Sequence, residues 1–163
     1  MRMFENILCV ISPDEASRPT LERALTLAEN TQARLTVVDV IPHISVGYGL
    51  PDGGPVSLQL RTMILAERQQ ALEAFLAPYQ QRLPIRHDIL MGTSFLEVIR
   101  QVLRQGHDLL IKPAQNPGLI GRLFGSDDMH LLRMCPCPVW LTKPGEKPEY
   151  KRVLAAVDFD FDT

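Results

Sequence analysis

No cluster of lysine and arginine interrupts this chain, whose 17 basic and 19 acidic side chains leave a formal charge of −2. Duplex nucleic acid is therefore not an expected partner, because binding through counterion release needs grouped cations. Also missing is any apolar stretch long enough to span a bilayer, and the opening Met1-Arg2-Met3-Phe4-Glu5-Asn6 lacks the apolar segment of a signal peptide. Neither a membrane nor export is expected. Cysteine is scarce: three residues, an odd number, suit a reducing cytoplasm better than a disulfide-stapled scaffold. A calcium loop is absent too. Asp158, Asp160 and Asp162 alternate near the end without the glycine and late glutamate that such a loop needs, and read as a solvated extended tail.

What is present is an alternation of strand and helix signals over a length that fits one domain with a self-sufficient core. Residues 7–11 form a short continuous apolar run, as expected of a strand buried on both faces. Ser17 or Arg18 then precedes Pro19, a favoured first helical residue, and Leu21, Ala24, Leu25 and Ala28 recur at helical spacing. Residues 35–41 give a second strand, stopped by Pro42. A loop over 43–57 carries Gly47, Gly49, Gly53 and Gly54. Residues 58–77 predict a long helix with Ile64, Leu65, Ala71, Leu72, Phe75 and Leu76 as its buried stripe and Pro78 at its end.

Residues 85–90 make a third, more polar strand, expected at an edge. Ser94 is the predicted cap of a helix through Arg104, with Glu97 completing a capping box and Gly106 ending the helix. Residues 108–111 predict a fourth strand. Ser126 caps a short helix through Met134, and residues 139–142 are the fifth strand. This alternation predicts an α/β fold, a three-layer sandwich with a parallel sheet and right-handed crossovers. Ligands of such sheets bind at the carboxyl ends of strands where the strand order reverses.

The pattern also starts again. Residues 151–158, a polar pair, a five-residue apolar run and then an acid, repeat the pattern of residues 5–12. The expected organisation is a domain over 1–146, followed over 147–163 by a linker and the truncated first strand of a second copy.

Three stretches together resemble the universal stress protein family: Ile7-Leu8-Cys9-Val10-Ile11, the run 106–112 (Gly-His-Asp-Leu-Leu-Ile-Lys), and Gly125-Ser126 followed by 130–141 (His-Leu-Leu-Arg-Met-Cys-Pro-Cys-Pro-Val-Trp-Leu). The last of these looks most like the first half of the family's tandem E-type members. The resemblance implies a Rossmann-like, adenine-nucleotide alpha-hydrolase-like fold with strand order 3-2-1-4-5. It also implies pairing through the fifth strand, with a second domain of the same chain or with another copy as a homodimer.

Many members of that family bind ATP through a loop after the fourth strand, patterned Gly-x-x-Gly, nine residues, then Gly-Ser or Gly-Thr. Glycine lets the backbone approach the phosphates, and amides with the following helix N-terminus supply donors. Counting back from Gly125 places Lys112 and Gln115 where the leading glycines belong, and Pro113 and Pro117 lack N–H donors. Gly118 and Gly121 keep the leading spacing but stand too close to Gly125. At the end of the first strand the family's nucleotide binders carry an acid followed by glycine. Ser12 and Pro13 stand there in this chain, while Asp158 holds the matching place in the second copy. Val40 matches the residue that lines the adenine, and Gly125 and Ser126 persist.

The candidate cleft is thus a degenerate nucleotide site made of Ser12, Pro13, Val40, Lys112, Gln115, Gly125, Ser126 and Asp127. Lys112 is able to act as a point-charge phosphate ligand, but the simpler expectation is a solvated side chain at a strand end. Ser126 is expected as a helix N-cap, and Asp127 and Asp128 as exposed complements of the helix dipole. Cys135 and Cys137, flanking Pro136, invite a metal or redox reading but are read as a helix-to-strand turn, since a closed metal site needs four ligands. Cys9 is read as core. His130 lies one helical turn from Ser126, but no buried acid is in evidence to orient it for catalysis. The expected function is a non-catalytic scaffold or interaction half of a tandem stress-response protein; alternative: an ATP- or AMP-binding sensor using the cleft at the ends of strands 1 and 4. A slow ATPase ranks last, since no residue is placed as a general base for water.

Overall fold

The computed structural model describes residues 4–42, 55–115 and 127–143, apart from the side chains of 55–58. The expectations for residues 43–54, for Gly118, Gly121, Gly125 and Ser126, and for the repeat over 151–158 lie outside the described residues.

Five parallel strands and four helices alternate: β1 (Asn6–Val10), α1 (Arg18–Thr31), β2 (Arg34–Ile41), α2 (Pro55–Leu76), β3 (Ile85–Met91), α3 (Ser94–Gln105), β4 (Leu109–Pro113), α4 (Asp127–Met134) and β5 (Val139–Thr142). The sheet order is β3-β2-β1-β4-β5, as the family resemblance implied. β1 is central, paired with β2 through Asn6–Arg34 to Val10–Val38 and with β4 through Ile7–Leu109 to Cys9–Ile111. The strand order therefore reverses between β1 and β4. β3 lies at one edge, as its polarity predicted, and β5 at the other.

Strand parity builds two cores. Ile7, Cys9, Ile11, Leu35, Val37 and Ile111 point to one face, where Leu21, Ala24, Leu25 and Ala28 of α1 and Leu72, Phe75 and Leu76 of α2 cover them. Leu8, Val10, Val38 and Leu110 point to the other, covered by Val98 and Val102 of α3 and Leu131 of α4. Full burial of one such aliphatic side chain stabilises by about 1.5–3 kcal/mol, so the sheet's two-sided cover is its main support. Helix α2 departs from the predicted picture in two details. α2 begins earlier than expected, and of its predicted stripe Ala71 is exposed.

The capping box is not formed. Thr93 occupies the N-cap of α3 without a side-chain bond, and Glu97 pairs instead with Arg100 at 2.5 Å. Glu97 also packs against Gly92, whose φ of +151° and missing Cβ make room for it; a Cβ there would sit 2.8 Å from Glu97 Cγ. Gly106 ends α3 in the left-handed conformation, as predicted, with its N–H donated to the Val102 carbonyl. At the lower edge, the Asn6 amide donates to the carbonyls of Gln105 and Gly106, tying the end of α3 to the start of β1.

Candidate functional site

At the carboxyl ends of β1 and β4 a cavity of about 300 Å³ opens where the strand order reverses. Ser12, Val40, Lys112, Gln115 and Asp127 line it, together with Asp39, Ser94 and Pro113, so five of the eight predicted cleft residues share one wall system. Pro13 follows Ser12 in the loop after β1 and is not among the residues lining the cavity. Gly125 and Ser126 fall outside the described residues.

Lys112 departs most from expectation. It is 5% exposed rather than solvated, and its ammonium is paired with the Asp128 carboxylate. Parity explains this: Lys112 follows Leu110 on the same face of β4, and that face runs beneath α4. A side chain at a strand's end is solvated only if no helix covers its face. The second oxygen of Asp128 accepts the Gln115 backbone N–H at 2.8 Å. One carboxylate thus holds both a lysine ammonium and a loop amide, the two kinds of donor that a phosphate would otherwise seek here. Asp128 is correspondingly 6% exposed, a correction to its reading as an exposed dipole complement.

Asp39 lines the same cavity and was marked by no sequence motif. It continues the inward face of Leu35 and Val37, is 1% exposed, and meets Arg68 of α2, whose guanidinium stands 2.5 Å from Oδ2. Ser12 Oγ donates weakly to its other oxygen at 3.4 Å. Burial raises the Asp39 carboxyl above the ordinary 3.8, and Arg68 and the Ser12 hydroxyl offset this only in part. The Arg68–Asp39 contact is ionic in character, since Oδ2 makes no aligned hydrogen bond. The acid missing at the end of β1 is therefore matched by one on the adjacent strand, already engaged by an arginine.

Other candidates settle into structural roles. The His130 ring stacks on Phe95 of α3, with centroids 4.5 Å apart and 19° between planes, which joins α3 to α4. Cys9 is fully buried, and desolvation pushes its thiol up to about 12. The two remaining thiols, Cys135 and Cys137, lie 3.6 Å apart in the turn between α4 and β5. Among the described residues no group of three His, Cys, Asp or Glu side chains could hold a metal ion. Ser12, Asp39, Val40 and Ser94 are the cavity residues able to contact a sugar or base edge.

Fold, switch point and cleft together define one class of protein: the chain belongs to the universal stress protein family, whose profile matches residues 3–143. Among curated proteins it is similar to universal stress protein E of Escherichia coli K12, with 30% identity over 97% of this chain and 51% of that protein. The chain thus spans about half the length of the curated relatives it matches. Among solved structures it resembles universal stress protein UspA from Lactobacillus plantarum, with a TM-score of 0.64, 19% identity, and coverage of 85% of this chain and 97% of that one. A universal stress protein solved in complex with cAMP gives a TM-score of 0.58 at 17% identity, covering 86% of this chain and 98% of that one. Among the described residues no helix is long and apolar enough to cross a membrane.

Proposed function

We propose that this domain is the non-catalytic scaffold half of a tandem stress-response protein, acting in the cytoplasm, with a nucleotide cleft whose phosphate donors are held by its own carboxylate. The observation that carries this reading is the Asp128 bridge to Lys112 and the Gln115 amide. A triphosphate entering there would have to displace a buried carboxylate from its lysine and face Asp39 and Asp127 besides. Like-charge approach at low dielectric is unfavourable by several kcal/mol unless a cation intervenes. The match to half of universal stress protein E supports a second domain as the partner. The edge position of β5 supports its pairing there or, in this chain alone, a two-fold dimer.

The alternative, an ATP or AMP sensor, draws on the open cavity beside Ser12, Asp39, Val40 and Ser94, which retains room for a nucleoside. Titration calorimetry with ATP and Mg²⁺ separates the two. The scaffold reading expects heats within noise at millimolar ATP, and a micromolar dissociation constant would replace it with the sensor. Phosphate release no faster than in buffer is expected, and turnover above that background would refute the non-catalytic assignment.

A further inference from the structure

The Cys135–Cys137 pair plays no part in the cleft. α4 ends at Met134, the Cys135 N–H donates to the Leu131 carbonyl at 2.9 Å, and two prolines, Pro136 and Pro138, force the chain round into β5. That turn brings the two Sγ atoms to 3.6 Å, in contact and half-buried, with Pro136 exposed between them. Cys9, by contrast, is sealed in the core. We propose that Cys135 and Cys137 form an intramolecular dithiol site for hydroperoxides, which convert it reversibly into a disulfide.

The contact between the sulfurs separates their roles. An S–H from Cys137 stabilises a thiolate at Cys135 and lowers it to about 6, while Cys137 is pushed up by the same contact, by burial and by the nearby Asp108 carboxylate. The Cys135 thiolate attacks one peroxide oxygen and the O–O bond breaks. The departing oxygen takes a proton and leaves as an alcohol, or as water from hydrogen peroxide. Cys135 becomes a sulfenic acid. The Cys137 sulfur then gives up its proton and attacks the sulfenic sulfur; the S–O bond breaks and water leaves. Two thiols and one hydroperoxide thus yield one disulfide, one alcohol and one water. Closure brings the sulfurs from 3.6 Å to about 2.05 Å, a displacement within reach of side-chain rotation in a turn. A low-molecular-weight thiol restores the pair by disulfide exchange, the transient chemistry compatible with a reducing compartment.

The test is intact mass of the reduced chain after stoichiometric hydrogen peroxide, followed by denaturation and alkylation. The expected product has lost two hydrogens and takes one alkyl group, at Cys9, where the untreated chain, with its 3 cysteines, takes three; dithiothreitol returns it to three. In Cys137→Ser, dimedone should capture a sulfenic acid at Cys135. In Cys135→Ser the loss of two hydrogens should vanish. The proposal is overturned if wild type keeps three alkylatable thiols, or if oxidation gives chain-to-chain disulfides or a sulfinic acid without the internal bridge.

Discussion

Replacing Asp128 by asparagine keeps the side chain's shape and removes its charge, leaving Lys112 an ammonium without a counterion. The two side chains are 9% and 7% exposed respectively, deep enough that an uncompensated charge matters. Breaking a buried pair from one side costs about 3–5 kcal/mol, and the neighbouring cavity admits water that places this case at about 3 kcal/mol. The asparagine oxygen still accepts from Gln115, so the amide adds little to the loss. With a urea m-value of about 2 kcal/mol/M, the unfolding midpoint should fall by about 1.5 M. Lys112→Met should lose a similar amount by stranding Asp128. The double variant Lys112→Met/Asp128→Asn, which removes both charges and keeps an acceptor for the Gln115 N–H, should recover most of it. Urea denaturation of the four proteins completes the cycle. A midpoint shift of less than about 0.3 M for Asp128→Asn, or a double variant as unstable as the sum of the singles, would refute the argument.

Asp39 and His107 make predictions in pH. Because burial raises the Asp39 carboxyl, its contribution to stability is fully present below the unfolded value and is lost as pH rises through the folded one. Asp39→Asn should therefore be neutral or stabilising at pH 7 and lose that advantage at pH 4; destabilisation at pH 7 by more than about 1 kcal/mol in urea melts would contradict it. His107 is 5% exposed, neither ring nitrogen has an aligned hydrogen-bond partner, and burial lowers its basicity below the ordinary 6.5. The unfolded chain then binds a proton that the folded one resists, so stability falls as pH drops below about 6.5. Thermal melts of wild type and His107→Gln at pH 7.5 and 5.5 should show the smaller drop in the variant, and parallel drops would exclude His107 as the cause.

Much of the architecture was legible because β1, β2, β4 and β5 are short, largely apolar runs near Pro or an acid, while the more polar β3 reads as an edge strand between Pro84 and Gly92. Leu21, Ala24, Leu25 and Ala28 identified the buried face of α1, and all four are fully buried. The ends of elements were less legible. Thr93 rather than Ser94 stands at the N-cap of α3, because the Ser-x-x-Glu spacing does not reveal that Glu97 turns toward Gly92 and Arg100.

In the cleft, Ser12, Val40, Lys112, Gln115 and Asp127 were placed by the family's motif, and they line one cavity. Their partners were not so placed. Asp128 and Arg68 act through contacts across 16 and 29 positions of sequence, which no local spacing encodes. One signal was available: Lys112 shares the parity of Leu110, and an alternate-position count would have placed it beneath a helix. Asp39 could be read the same way from Leu35 and Val37, since a carboxylate on an inward face requires a cation, and α2 supplies Arg68.

The central claim is that Asp128 stands in for phosphate at the Gln115 amide, and the ¹H–¹⁵N resonance of Gln115 reports on it directly. The account predicts that this cross-peak stays in place as ATP and Mg²⁺ are raised to millimolar concentration, while Asp128→Ala moves it. A wild-type Gln115 resonance that shifts and saturates at micromolar ATP would contradict the account.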